Sequence, residues 1–141
     1  MDIQSESETP ESYREGNRNI KKIRVVLSED ANKQYEELNK IVGDELQRNI
    51  ENSVHQQLLK SIKQKIELLK INPQAGIHIQ KSLIPKLYKD KYDVNNLWKI
   101  DLSAYWRMIY MLKTDEIEIT NFILDFIDHE TYDKVFGYKK K

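Results

Sequence analysis

The run Trp106-Arg107-Met108-Ile109-Tyr110-Met111-Leu112 is apolar at every position but one, and that exception constrains the fold. A stretch apolar without alternation suits a central β-strand covered on both faces. A guanidinium inside such a strand must meet an anion, because it cannot shed its charge. Just upstream, Leu97-Trp98-Lys99-Ile100-Asp101-Leu102 alternates. Trp98, Ile100 and Leu102 share one face of a strand, Lys99 and Asp101 the other. A short polar turn joins the two runs, so a cation sits inside each of two consecutive strands.

The flanks supply the other elements. Residues 23–27 are a β-branched run, and Ser28 then offers a helix N-cap, with Glu29 and Asp30 favourable in a first turn. Tyr35, Leu38, Ile41 and Val42 form a helical stripe that Gly43 is expected to stop. Leu46, Ile50, Val54, Leu58, Ile62, Ile66 and Leu69 then recur every three or four residues, predicting a second helix over residues 44–71. Asn72-Pro73 ends it. Two such helices make an antiparallel hairpin whose apolar face a sheet must cover. Residues 73–96 are irregular and long for a plain connection. There Lys81, Lys86, Lys89 and Lys91 interleave with Tyr88 and Tyr92, which suits single-stranded RNA. The same segment also reads as a loop covering a sheet edge with Leu83, Ile84, Leu87 and Tyr88. After a turn at Lys113-Thr114-Asp115, residues 116–125 form a further strand, with Ile119 and Ile123 expected in the core. Asp128 or the next residue opens a short last helix that Gly137 stops. Residues 1–19, nearly free of aliphatics, read as a disordered tail before a single domain over residues 20–141.

Composition narrows the function. With no cysteine, disulfide frameworks and thiolate metal sites are excluded. His55, His78 and His129 lack metal-ligand spacing, so neither a metal nor another cofactor is expected. No apolar run approaches the ~20 residues of a membrane span, and the acidic, polar start is unlike a secretory signal. A soluble cytoplasmic protein is the expectation. Net charge is zero, 23 basic against 23 acidic residues, yet residues 56–113 hold eleven cations and four carboxylates. A basic middle between acidic flanks is the footprint of a phosphate-binding surface. For Lys60, Lys63 and Lys65, a solvated helix face is the better account of the charge.

The motif Trp106-Arg107-Met108-Ile109-Tyr110, preceded by Trp98-Lys99-Ile100-Asp101-Leu102, resembles the RelE/ParE superfamily of small toxins, whose third strand carries an arginine in an aromatic-Arg-aliphatic-aliphatic-Tyr pattern. The likeness extends from about residue 23 to about residue 136. It implies an α+β fold: an N-terminal strand, a two-helix hairpin packed on a mainly antiparallel four-stranded sheet, and a short C-terminal helix. It also implies the toxin of a toxin–antitoxin system, with a cognate antitoxin as partner. In the RelE branch the partners include the ribosome and mRNA, and the activity is metal-independent endoribonucleolytic cleavage by attack of a 2′-hydroxyl on the adjacent phosphate. By resemblance Arg107 clamps the phosphate, Lys99 is the neighbouring cation, and His129 and Tyr132 serve proton transfer and base stacking.

Two departures from that pattern keep a second reading open. Asp101 stands where many relatives have a basic residue, and Asp125, Asp128 and Glu130 surround His129 where others are arginine-rich. A carboxylate beside a phosphate site opposes binding, and Asp101 could neutralise Arg107 or Lys99. The alternative is a non-catalytic ParE-type or degenerate member that acts by binding protein, either gyrase or an antitoxin.

Overall fold

The structure is a computed structural model that describes residues 21–137; the tail expected over residues 1–19 and the basic end at 138–141 lie outside the described residues. The elements are β1 (Lys22–Leu27), α1 (Glu29–Gln47), α2 (Val54–Ile71), β2 (Ile77–Ile79), α3 (Lys86–Tyr92), β3 (Leu97–Asp101), β4 (Trp106–Thr114), β5 (Glu118–Asp128) and α4 (His129–Phe136). One sheet carries the strands in the order β1-β5-β4-β3-β2. The edge strand β1 runs parallel to β5 and the other neighbours pair antiparallel. This is the implied strand, helical hairpin, meander and terminal helix, with one strand more than the expected four.

That extra strand lies in the segment read as irregular. β2 is three residues long with one buried, too short to show a period. A close approach admits it: a Cβ on Gly76 would lie 2.5 Å from the Lys99 carbonyl oxygen. The Gly76 N–H donates to the Tyr110 hydroxyl (3.0 Å), which in turn donates to the Pro73 carbonyl (3.0 Å). Tyr110 therefore ties the end of the hairpin to the sheet from a fully buried position.

The boundary between the two helices also differs from expectation. α1 continues through Gly43 to Gln47, and α2 begins at Val54 instead of residue 44. Gly43 faces open space, so its cost is the ~1 kcal/mol of a helical glycine, and burial of Val42 and Glu45 holds the last turn. What stops the helix is the connection after it, where Asn49 (φ 62°) and Asn52 (φ 57°) are left-handed, a conformation asparagine tolerates. Ser53 caps α2 by accepting from the Gln56 N–H. The Glu45 carboxylate accepts from Ser53 Oγ (2.5 Å) and contacts His55 Nδ1 (3.1 Å), clasping the turn. Leu46 and Val54 are consequently 56% and 58% exposed, outside the stripe expected to face the sheet. Leu58, Ile62, Ile66 and Leu69 do face it.

Both sheet faces are covered. The hairpin packs on Met108, Tyr110 and Ile123; α3 and α4 pack on Ile109, Met111 and Leu124. β4 thus alternates between two cores, which explains its unbroken apolar run. Ile119, expected in the core, is half-buried where β5 pairs with the edge strand at Ile23. Ser28 caps α1 and donates to the Leu124 carbonyl (2.9 Å), tying the helix start to β5.

Two outcomes follow. Gly76→Ala should lower stability by roughly 1–3 kcal/mol, the range for overpacking a filled site, and shift the Lys99 amide resonance; an unchanged denaturation midpoint would contradict the close approach. The hydrogen bond from Ser53 holds the Glu45 carboxylate below its ordinary range. Such a group stabilises the fold above the ordinary carboxylate pKa, and that contribution disappears as pH falls through its lowered value. Glu45→Gln should therefore flatten the acid side of a plot of melting temperature against pH from 7 to 3; an identical slope would remove Glu45 from the account.

Candidate functional site

Register sets the site. Asp101 pairs with Arg107, and Arg107 pairs with Ile127 on its other side. Lys99 pairs with Ile109, so Lys99, Asp101 and Arg107 share the sheet face opposite the helical hairpin, at the end where β3 turns into β4. α4 lies over that end. Its N-cap, Asp128, accepts from the Thr131 N–H (2.8 Å), a bond that holds the Asp128 carboxylate below its usual range. Gly137, at φ 76°, ends the helix.

Four residues singled out in the sequence come together here. Tyr132 is 3% exposed and its ring stacks on Phe136 at 4.2 Å. The Arg107 guanidinium lies 4.5 Å and the Lys99 ammonium 4.9 Å from the Tyr132 ring centre. A single buried ring thus seats two cations that would otherwise repel each other. Arg107 Nη1 is 3.3 Å from His129 Nδ1. Because arginine only donates, His129 Nδ1 must accept, which places the proton of a neutral imidazole on Nε2. Nε2 faces the Asp133 carboxylate at 3.5 Å. Tyr132 is therefore a platform for the cations and not, as expected, an open surface for a base.

Asp101 approaches Arg107 Nε at 3.3 Å, with the carboxylate side chain 70% exposed and the arginine 21%. The distance suits an ion pair, yet no acceptor among the described residues is aligned with the buried Nε–H. The expected neutralisation is thus partial. Asp101 sits in water, where a pair is worth ~1 kcal/mol or less.

An open cleft surrounds Arg107. On one side it is lined by Ala104, Tyr105, Trp106, Asp128, His129 and Glu130, and an adjoining hollow reaches Asp101 and Leu102. Tyr105 went unnoticed in the sequence; in a turn of unknown geometry nothing marks it as exposed. The lysines Lys81, Lys86, Lys89 and Lys91 do not line this cleft. Lys86 pairs with Asp90 one helical turn away (3.0 Å), and Lys91 pairs with Asp30 at the start of α1, a carboxylate that also accepts from the Tyr92 hydroxyl (2.6 Å). Tyr88 is buried and donates to Asp125 (3.0 Å), whose carboxyl burial pushes up. Ile84 and Tyr88 therefore do cover the sheet, as the second reading of this segment had it, whereas Leu83 and Leu87, expected to cover it with them, are about half exposed.

Among the described residues no helix is long and apolar enough to cross a membrane, and no group of three or more His, Asp or Glu side chains is placed to hold a metal ion. No family model matches the chain, and no curated protein matches it. Among solved structures, the chain is similar to a YoeB/ParE toxin from Agrobacterium tumefaciens, at 16% identity and a TM-score of 0.45, over 78% of this chain and 99% of that one.

Tyr132→Ala should cost about 3–5 kcal/mol, as removal of a buried aromatic ring does, and should release both cations. Urea denaturation checks the first effect and the Arg107 Nε–H resonance the second. A loss below ~1 kcal/mol would mean that the ring is not part of the core.

Proposed function

We propose that this chain is the toxin of a toxin–antitoxin pair and a metal-independent endoribonuclease that cuts mRNA on the ribosome. The observation that carries the reading is Arg107: a permanent cation on a central strand, aimed at an open cleft, whose buried Nε–H has no aligned acceptor among the described residues. A phosphate supplies what such a group lacks, since bidentate oxyanions match the guanidinium fork.

The neighbours divide the remaining work. Asp101 and His129 flank the guanidinium, one at Nε and one at Nη1. With a phosphodiester on Arg107, the Asp101 carboxylate accepts the 2′-hydroxyl proton as the O2′–P bond forms. The P–O5′ bond breaks, and protonated His129 gives its proton to the departing oxygen. The products are a 2′,3′-cyclic phosphate and a 5′-hydroxyl. Arg107 and Lys99 stabilise the charge that builds on the non-bridging oxygens. Phosphate binding draws Arg107 off His129 Nδ1, leaving that nitrogen open to protonation. Cation and proton roles are both filled by side chains, so the reading asks for no cofactor. A cognate antitoxin would silence the protein by covering this cleft.

Primer extension on translating ribosomes tests the reading. The wild-type chain should cut mRNA, and Arg107→Ala should cut about 10²–10³-fold more slowly while remaining folded. His129→Gln should flatten the pH–rate profile. Asp101→Asn separates two roles: a base requires the rate to fall by roughly 10²–10⁴, whereas a mere neutralising partner requires it to rise. An intact transcript with the wild type, or an Arg107→Ala chain that simply unfolds, would favour instead a protein-binding module that acts on gyrase or an antitoxin.

A further inference from the structure

We infer that Tyr105 is the nucleobase platform of this site, stacking on one base of the single-stranded RNA whose phosphate lies on Arg107. The inference rests on the nuclease reading and adds to it the group that selects where the strand is cut.

Three observations carry it. Tyr105 is 83% exposed, the most exposed of the large apolar side chains among the described residues. An aromatic ring left in water forgoes the burial that ordinarily justifies it. Second, its backbone is strained: Ala104 (φ 58°) and Tyr105 (φ 63°) are consecutive left-handed residues, and neither is glycine, asparagine or aspartate. The turn is held in that shape from both ends. The Leu102 N–H donates to the Trp106 carbonyl (2.8 Å) and the Ser103 N–H to Ser61 Oγ on α2 (3.0 Å). Strain kept in place by a rigid frame, with no burial in return, is found where a side chain has to be presented. Third, Tyr105 lines both hollows that meet at Arg107, one beside His129 and Glu130 and the other beside Asp101.

The chemistry of the surroundings selects RNA over a protein partner. The ring is two residues from Arg107 and lines the hollows around it, and a nucleotide carries its phosphate and its π-face about one sugar apart. Tyr132 cannot provide the face, since Phe136 and the two cations enclose its ring. Stacking tolerates any base but favours the large ones, so Tyr105 would bias cleavage toward a purine at one position.

The test uses ribosomal complexes that hold mRNA with an empty A site, the codon there either intact or abasic at one nucleotide. Tyr105→Gly is the variant of choice, because glycine removes the ring and also relieves the left-handed backbone; its melting temperature should equal or exceed that of the wild type. Single-turnover cleavage by the wild type should slow roughly 10- to 100-fold at one abasic position, the scale of one lost base–aromatic stack. Tyr105→Gly should show the same loss on the intact codon and no further loss at that position, and Tyr105→Phe should restore the rate. Wild-type rates with Tyr105→Gly, or losses that simply multiply, would overturn the inference while the nuclease reading stands. Failure of the wild type to cut the intact codon would overturn both.

Discussion

Everything around the cleft depends on one unavoidable charge. Arg107 occupies a central strand, paired with solvated Asp101 on one side and buried Ile127 on the other, and a guanidinium there cannot be neutralised by losing a proton. The fold meets this with a π-face instead of a full complement of acceptors: the Tyr132 ring carries both Arg107 and Lys99, and Phe136 backs the ring. A buried carboxylate pair would have satisfied the arginine and removed it from chemistry. Asp101 is solvated and imperfectly aligned, and His129 offers a single acceptor nitrogen. The cation is thereby held in position without being consumed.

That arrangement explains the roles of the other elements. β5 is the longest strand and lies between β4 and the parallel edge strand, so it fixes Arg107 from one side through Ile127 and delivers α4 from its end. The helical hairpin fills the opposite face and, through Ser61, braces the turn that carries Tyr105. The Glu45 clasp, the Ser28 cap and the Tyr110 hydroxyl keep this scaffold rigid. Preorganised charge of this kind is effective because it requires no rearrangement when charge develops on a substrate.

Much of this was legible in the residues. The unbroken apolar run of β4, the alternation of β3, the caps at Ser28 and Asp128 and the stop at Gly137 follow from period and local hydrogen-bonding chemistry, and all of them appear. Arg107, Lys99, His129 and Tyr132 were picked out from a resemblance, and register brings them together. Gly43 misled because a glycine on an exposed helix face costs too little to end a helix that tertiary contacts favour. β2 escaped because a three-residue strand has no period. Tyr105 escaped because exposure in a turn depends on backbone angles that no spacing encodes. That Lys86 pairs with Asp90 and Lys91 with Asp30 was not legible, because the second contact joins α3 to the distant start of α1.

The central claim is that Arg107 is a cation incompletely satisfied by its neighbours and open to a phosphodiester, and nitrogen-15 NMR of its side chain tests it most directly. Ribosomal A-site mRNA blocked by a 2′-deoxy substitution would bind without being cut. On titration with the stalled complex or a short single-stranded analogue, the Arg107 Nε–H resonance should shift and exchange more slowly with water, with His129 changing alongside it. If Arg107 and His129 stay unmoved while changes map to the outer face of α1 and α2, the cleft is not the site and the account fails.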